Sequence, residues 1–459
     1  MDMNSQSTLS DTIYEINDYL NRNFSCSCGR EHMAPIRHIE INDTALTSLV
    51  PYLKENSFSK AFLIFDKNTY KIAGNMLVAL LDEYNQAYSC HIIDDYEPVP
   101  DEAAIGDILI HYDPSCDLII GVGSGTINDL SRFVSFRLGL PYIIVATAPS
   151  MDGYASAVAP LIVRHSKTTY NAHTPHAIFA DSRLLKEAPQ NMLAAGAGDI
   201  LGKYSSLCDW EIAHIITGEY YCPSVAAIVK QALEAVAKGI AAAAEKNDEA
   251  IRDLMNALVL SGIAMSFAGN SRPASGSEHH LSHFWEMTYL FEGRKPVLHG
   301  TKVGIGTIAV IKAYELLMSR NIDFDKARKA ASDYNQAEWE VFMQRAYKQA
   351  ADSVIKLERQ VKKNSPDNVI SRIRMLEENW HLLKKISGSM PSADTVRSYL
   401  QILGAPDSPM SIGISKELFI TSFTAAKELR NRYGLLQLLF DLNLTQEIAE
   451  EVWDYFQMG

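Results

Sequence analysis

Histidines gather in residues 271–304, which read SRPASGSEHHLSHFWEMTYLFEGRKPVLHGTKVG. His279 and His283 are four residues apart, so a helix over this stretch would project both from one face. His299 follows beside a glycine, and Asp199 lies upstream in AAGAGDILGKY. Imidazoles joined by one carboxylate bind divalent metals and leave a coordination position for a substrate oxygen, as a catalytic site requires. His280 directly follows the first histidine, so either is a potential ligand, and the four-residue spacing favours His279.

A glycine-rich turn follows the apolar segment CDLIIGVG. Glycines let the backbone approach a pyrophosphate closely, and the N–H groups and positive end of the next helix attract it. The G-x-G-x-G spacing differs from the usual dinucleotide fingerprint, which also has an acid ~20 residues later. The candidate ribose acid is instead Asp66, which ends SKAFLIFD and would favour NAD over NADP. The candidate phosphate-binding residues are Gly123, Ser124, Gly125, Thr126 and Ile127.

Small polar residues end another apolar segment, PYIIVATAP: Thr147, Ser150, Asp152 and Ser156. The carboxyl ends of parallel strands line the crevice where open α/β sheets bind ligands. We therefore expect these side chains near a ligand, with Asp152 in a position to hydrogen-bond a polyol hydroxyl.

The six cysteines are scattered and do not form a disulfide framework. Cys26 and Cys28 lie near His32 in CSCGREH, which suggests a small metal clip. The C-x-C spacing is atypical of zinc sites, and no fourth ligand lies nearby in the sequence. The pattern therefore favours an ordinary structural role.

Composition limits the class of protein. The chain has 459 residues, 47% of them hydrophobic, which favours two globular domains. No apolar run approaches the ~20 residues of a membrane span, and the acidic first residues lack the pattern of a signal peptide. We expect a cytoplasmic protein with no membrane partner. A net charge of −13 also argues against nucleic acid as a partner.

The predicted elements change character along the chain. A helix at roughly 9–22 and a short strand, IRHIEI, come first. Short apolar strands then alternate with amphipathic helices, which is typical of a parallel sheet with crossover helices. LIVRHSKTTYNAHTPHAIFAD predicts two more strands. After about residue 185 the pattern is helical throughout, including one long helix over 323–364. We predict an α/β NAD-binding domain over 1–185 and an all-helical metal- and substrate-binding domain over 186–459.

Together, GVGSGTIND, ATAPSMDGYAS, GAGD, SRPASGSEHHLSH and LHGTKVGIG resemble the dehydrogenases related to dehydroquinate synthase and the iron-containing alcohol dehydrogenases. Within that group the chain is most similar, over about 30–310, to the bacterial glycerol-1-phosphate dehydrogenases. The resemblance implies a Rossmann-like sheet domain followed by an all-helical domain. It also implies a metal-dependent reduction of dihydroxyacetone phosphate by NADH, giving sn-glycerol 1-phosphate.

Residue roles follow from the same resemblance. Asp199, His279 and His299 would hold one divalent metal, nickel or zinc, and Asp199 would also contact the substrate as a catalytic residue. His283 would lie beside substrate and nicotinamide as a catalytic residue, and Asp152 would contact the substrate. The other polar strand-end residues, the glycine-rich turn and Asp66 would bind NAD, with NADP as the alternative.

Several points stay open at this level. The substrate phosphate needs a cation, for which Arg272, Lys302 and Lys203 are equivalent candidates. A homodimer is expected. Alternative functions are a dehydrogenase of glycerol or another polyol, a lyase similar to dehydroquinate synthase, and a non-catalytic NAD-binding protein.

Overall fold

A computed structural model describes residues 7–8, 16–163 and 166–458. The chain forms two compact units, of which the first comprises residues 1–200 and 223–270 and the second residues 201–222 and 271–459. This division differs from the one that the change of element type at residue 185 predicts. Two long helices from the helical half, over 223–238 and 248–268, belong to the same unit as the sheet.

The first unit contains a six-stranded sheet in the order β4-β11-β8-β7-β5-β6, and all of its strand pairs are parallel. This confirms the predicted α/β fold. A two-stranded hairpin, β9-β10, and a small sheet, β1-β2-β3, accompany it. The strands are β1 (Ser7–Thr8), β2 (Phe24–Ser25), β3 (Glu31–His32), β4 (His38–Asn42), β5 (Lys60–Asp66), β6 (Ala87–Ile93), β7 (Leu118–Gly123), β8 (Tyr142–Ala146), β9 (Val158–Val163), β10 (Ser166–Asn171) and β11 (Ala177–Asp181).

Helices cover the sheet and form the whole second unit as far as it is described. They are α1 (Ala45–Glu55), α2 (Lys67–Thr69), α3 (Asn75–Glu83), α4 (Glu102–His111), α5 (Gly125–Leu138), α6 (Ser182–Lys186), α7 (Gln190–Leu201), α8 (Lys203–Thr217), α9 (Pro223–Lys238), α10 (Ile240–Ala244), α11 (Asp248–Ala268), α12 (Ser277–Phe291), α13 (His299–Met318), α14 (Phe324–Ser332), α15 (Gln336–Tyr347), α16 (Ala351–Val361), α17 (Pro366–Ser387), α18 (Ala393–Ile402), α19 (Lys416–Ala425), α20 (Leu435–Asp441) and α21 (Thr445–Met458).

The sequence patterns misplace some elements. The segment 161–181 is part of three strands rather than two, because β9 and β10 form an antiparallel hairpin and β11 joins the main sheet. The predicted helix over 323–364 is three helices, and α20 was not predicted. Of the predicted helix at 9–22, residues 9–15 lie outside the described residues, and Ile16–Tyr19 form one turn of 3-10 helix.

Burial explains why the central strands are continuous apolar runs in the sequence. In β5 every residue after Lys60 is buried, because the strand lies between β6 and β7 and under helices. Within the part of the chain that the structure describes, one helix, α11, is long and apolar enough to cross a membrane by length and composition alone. The search for apolar runs in the sequence did not single out this helix. Because 67% of its apolar window is buried, α11 behaves as a core helix of the first unit.

Candidate active site

Three predicted cofactor-binding segments lie at one edge of the sheet. Strand β7 pairs in parallel with β5 on one side and with β8 on the other. Asp66 ends β5, Gly123 ends β7, and Thr147 directly follows β8. The Thr147 N–H donates to the Gly123 carbonyl at 3.2 Å. The first unit therefore brings these residues to the carboxyl edge, where α/β sheets bind nucleotides.

The glycine-rich turn is shaped by close packing of strand on helix. A Cβ atom at Gly123 would lie 2.6 Å from Cβ of Ile127, so only glycine fits there. Ser124 precedes α5 without capping it through its side chain, and the first turn of α5 contains no acidic residue. The N–H groups at this helix end therefore face no carboxylate of their own turn, which suits an anionic ligand such as a pyrophosphate.

Asp66 caps the start of α2. Its Oδ1 atom accepts from the N–H of Thr69 at 2.7 Å, and its own N–H donates to the Thr69 hydroxyl at 3.0 Å, which forms a capping box for α2. Burial raises the pKa of Asp66 above its usual value, although the bonds from Thr69 act in the opposite direction. If Asp66 binds the ribose as predicted, the same carboxylate must also cap α2.

Asp152 and Asp199 are neighbours in the first unit. The Asp152 N–H donates to Oδ2 of Asp199 at 3.0 Å, and the Ser261 hydroxyl of α11 donates to Oδ2 of Asp152 at 2.9 Å. All three side chains are buried. The loop after β8 and helix α7 thus present two carboxylates side by side. Ser261 was not predicted, because nothing in its local sequence distinguishes it from other helical serines.

A buried arginine holds the loop that carries Asp152. The Arg132 guanidinium of α5 donates to the carbonyls of Gly153 and Val158, the latter at 2.8 Å, and to the Tyr142 hydroxyl at 2.8 Å. Bonds from a charged donor to buried carbonyls are strong and directional, so the guanidinium fixes the backbone of this loop. Ser156, a predicted NAD contact, uses its hydroxyl in a turn with the N–H of Val158 at 3.1 Å.

Three imidazoles converge in the second unit. The ring centroids of His279 and His299 are 5.2 Å apart, those of His283 and His299 are 5.4 Å apart, and those of His279 and His283 are 6.0 Å apart. His279 and His283 lie on one face of α12, and His299 begins α13. The two helices approach closely where Gly306 faces Glu278, since a Cβ atom at Gly306 would lie 2.7 Å from the Glu278 carbonyl oxygen.

Glu278 orients one of these rings. Its Oε1 atom lies 2.7 Å from Nδ1 of His279 and accepts the Gly276 N–H at 2.7 Å, while Oε2 accepts from the Ser205 hydroxyl at 2.6 Å. Burial raises the pKa of Glu278, but these hydrogen bonds outweigh it and hold the pKa below its usual value. An ionised Glu278 fixes the proton of His279 on Nδ1 and directs Nε2 away, as metal-binding histidines require.

A second carboxylate lies beside the other two rings. The Glu286 side chain is 3.7 Å from Nδ1 of His283, and with His283 and His299 it offers ligand atoms within 4.8 Å of one another. Lys302 is buried, donates to the Val297 carbonyl at 2.8 Å and lies 3.7 Å from Glu286. Glu286 was missed in the sequence, although its position three residues after His283 places it on the same helix face.

The remaining candidates are arranged differently. His280 is buried and forms no ring contact with the three imidazoles, and burial, then nearby cations, hold its pKa well below the usual value. The Arg272 guanidinium donates to both carboxylate oxygens of Glu219 and to the Tyr433 carbonyl. Lys203 donates to the Ala274 carbonyl at 3.1 Å. Arg272 and Lys203 therefore have structural bonds of their own.

Comparison with known proteins identifies the family of the chain. The family model of iron-containing alcohol dehydrogenases matches residues 40–189. A glycerol-1-phosphate dehydrogenase [NAD(P)+] from Geobacillus stearothermophilus is 33% identical over 422 residues, 91% of this chain and 96% of the relative. The enzyme of the same name from Bacillus subtilis is 42% identical over 285 residues, 61% of this chain and 72% of the relative.

Solved structures support the fold. A glycerol dehydrogenase from Schizosaccharomyces pombe aligns with a TM-score of 0.58 and 15% identity over 92% of both chains. An alcohol dehydrogenase from Oenococcus oeni aligns with a TM-score of 0.61 and 16% identity over 91% of this chain and 98% of its own. These two establish the architecture, and the nearly full-length likeness to the Geobacillus enzyme establishes the family. The chain belongs to the glycerol-1-phosphate dehydrogenases, within the iron-containing alcohol dehydrogenase superfamily.

Proposed function

We propose that the chain reduces dihydroxyacetone phosphate to sn-glycerol 1-phosphate with NADH or NADPH. The observation that carries the proposal is the group of three imidazoles on α12 and α13, with buried Glu278 bonded to one of them. Three imidazoles this close together offer nitrogen donors suited to a divalent cation, and the contact between Glu278 and Nδ1 of His279 is the arrangement typical of metal-binding histidines. The relatives from Geobacillus stearothermophilus and Bacillus subtilis are named glycerol-1-phosphate dehydrogenases, which also supports the proposal.

We propose Asp199, His279 and His299 as the ligands of one divalent metal. Imidazole nitrogen and carboxylate oxygen are donors that both nickel and zinc accept, so the donor set fits the metals that the family resemblance suggests. When bound, the metal supplies Lewis-acid polarisation of the substrate carbonyl and the nicotinamide supplies the reducing equivalent. The orientation of His279 by Glu278 supports its assignment in preference to His280.

The remaining roles belong to side chains around this group. His283 is proposed to deliver the proton to the substrate oxygen, and the Glu286 carboxylate lies 3.7 Å from its Nδ1. Asp152 accepts a substrate hydroxyl, with Ser261 orienting the carboxylate. Lys302 is proposed for the substrate phosphate, because it lies 3.7 Å from Glu286, beside the imidazoles, whereas both carboxylate oxygens of Glu219 neutralise Arg272.

The first unit is proposed to bind the dinucleotide along the glycine-rich turn. The uncapped start of α5 receives the pyrophosphate, and Thr147, Ser150 and Ser156 line the neighbouring edge of the sheet. Asp66 would repel a 2′-phosphate, which favours NAD, with NADP as the alternative. A cytoplasmic homodimer remains our expectation for the working protein, and light scattering of the purified enzyme tests the dimer.

A spectrophotometric assay tests the activity. The chelated enzyme is given one metal at a time, and NADH oxidation is followed with dihydroxyacetone phosphate, with dihydroxyacetone, and without substrate. We expect turnover that depends on metal and prefers the phosphorylated substrate. Preference for dihydroxyacetone would indicate a polyol dehydrogenase. No net oxidation with any metal would overturn the proposal and would favour a lyase that recycles its NAD or a binding protein.

A further inference from the structure

Two cysteines lie at the tip of a small hairpin. Strands β2 and β3 pair antiparallel, with Phe24 opposite His32, and the turn between them contains Cys26 and Cys28. The N–H of Gly29 closes the turn on the Cys26 carbonyl at 3.0 Å, and Gly29 adopts a positive φ of 81°, which favours glycine. The hairpin therefore presents two thiols at its tip beside a histidine that follows in the opposite strand.

The distances in this group match tetrahedral coordination. One ligand atom each from Cys26, Cys28 and His32 lies within 4.8 Å of the others, and Sγ of Cys28 is 3.4 Å from Nε2 of His32. The sulfur and nitrogen ligands of a tetrahedral zinc, with bond lengths of about 2.3 Å and 2.0 Å, are about 3.5 Å apart. The C-x-C spacing, atypical of zinc sites, is suitable here because the turn brings both thiols close to His32.

His32 is prepared for ligation through Nε2. The ring is fully buried, and its Nδ1 atom lies 2.8 Å from the Phe267 carbonyl at the end of α11. A carbonyl only accepts, so Nδ1 carries the proton and Nε2 presents a lone pair toward the thiols. Metal-binding histidines are typically held this way, with the second nitrogen bonded to a carbonyl or carboxylate.

A fourth ligand is brought close by another part of the chain. Sγ of Cys26 lies 3.8 Å from the hydroxyl of Ser224, in the first turn of α9. Cys222 is separated from Ser224 only by Pro223, so its Cα atom lies within about 7 Å of that of Ser224 by chain connectivity alone. The Cys222 side chain is buried. Its position near the hairpin thus follows from the covalent chain.

We propose that Cys26, Cys28, His32 and Cys222 bind a structural zinc ion that fastens the N-terminal hairpin to the start of α9. Three thiolates and one imidazole complete a closed tetrahedral set without an open position for substrate, which is typical of structural zinc. The site shares no residue with the proposed catalytic group, and its existence does not depend on the proposed function. Zinc binding would replace the thiol protons, which pass to solvent.

Cobalt substitution tests the site in the intact protein. The proposed catalytic group has only nitrogen and oxygen ligands, so a sulfur-to-cobalt charge-transfer band reports on the cysteine site alone. We expect the band in cobalt-loaded wild type and in His279→Ala, and its absence in Cys26→Ser/Cys28→Ser. A failed dehydrogenase assay would leave this band unchanged. No charge-transfer band in the wild type would refute the site.

Zinc content supplies a second measurement. The Cys26→Ser/Cys28→Ser protein should contain about one zinc per chain less than wild type, whereas Cys90→Ser/Cys116→Ser removes two thiols elsewhere and should retain all of it. Should the first variant fail to fold, titration of the wild-type protein with a mercurial reagent still tests whether cysteines hold the zinc. We expect release of about one zinc as three thiols react. Unchanged zinc content, or a disulfide among these cysteines in the purified protein, would overturn the proposal.

Discussion

The Nδ1 atom of His279 lies 2.7 Å from Oε1 of Glu278, its immediate neighbour in the chain. Adjacent helical residues normally point apart, so this contact depends on the start of α12, where the Gly276 N–H and the Ser205 hydroxyl also reach Glu278. The carboxylate is fully buried and ionised, and its three donors satisfy it. It fixes both the tautomer and the orientation of a proposed metal ligand.

Replacing this carboxylate should weaken metal binding rather than dinucleotide binding. Glu278→Gln keeps the shape but removes the charge, and we expect metal affinity to fall 10- to 100-fold, the usual effect of changing such a partner. Metal titration of the chelated variant measures it, and the Kd for NADH should stay within about twofold of wild type, since a twofold change is only ~0.4 kcal/mol. Glu292→Gln, at the exposed end of the same helix, is the control. Equal metal affinity in the Glu278 and Glu292 variants would show that Glu278 does not orient a metal ligand.

Two substitutions resolve which of the adjacent histidines binds the metal. His279→Ala should lose the metal of the proposed catalytic group, about one ion per chain, and reduce kcat by at least about 100-fold, because a ligand is lost. Zinc held by the proposed cysteine site should be retained. His280→Asn should change metal affinity and kcat by no more than a few fold, since this ring is buried apart from the other three. Metal analysis and NADH oxidation measure the two effects. Metal loss in the His280 variant alone would reverse the assignment.

Motifs in the sequence predicted the strands that lead to the candidate site but not the side chains that surround it. The strands ending at Asp66 and Gly123 were predicted correctly, because a buried parallel strand is a continuous apolar run between turns. Glu278 was passed over because its role depends on the Ser205 hydroxyl of another helix, and sequence spacing gives no information about such contacts. Cys222 was passed over for the same reason, since only the fold brings α9 to the hairpin.

Local rules also failed where tertiary packing decides. The segment over 323–364 has helical periodicity throughout, but the chain turns twice within it. Lys348, at the end of α15, adopts a positive φ, which interrupts the helix at a residue that carries no glycine or proline signal. The earlier break lies between α14 and Asn335, whose side chain caps the start of α15. The division into compact units likewise depends on where α9 and α11 pack, and helical periodicity alone does not reveal their partners.

Removing the hydroxyl of Ser261 should affect substrate binding selectively. Ser261→Ala deletes the 2.9 Å bond to Asp152, which is proposed to contact the substrate. We expect the KM for dihydroxyacetone phosphate to rise about 3- to 10-fold, equivalent to a hydrogen bond of roughly 1 kcal/mol, with little change in the Kd for NADH. Steady-state kinetics measure both. Ser266→Ala on the same helix is the matched control, and an identical KM in the two variants would contradict the role of Ser261.

Acid should destabilise the protein through His176. This ring packs edge-on against Tyr52 and Phe58, its Nε2 atom is buried without a hydrogen-bond partner among the described residues, and burial followed by the charge of Arg37 lowers its pKa to about 4. Because the folded pKa lies below the unfolded value, the unfolded chain binds the additional proton between about pH 6.5 and 4. The contribution of His176 is thus present above that window and lost as the pH falls through it.

The variant His176→Phe removes this titration and keeps a ring in place. Relative to wild type, its free energy of unfolding should improve by about 1–2 kcal/mol between pH 7 and pH 4, less than the full shift implies because the ring is partly exposed. Urea unfolding at several pH values measures the difference. His381→Gln, at an exposed position, controls for loss of a histidine in general. Parallel pH profiles of wild type and His176→Phe would show that the proton taken up on acid unfolding binds elsewhere.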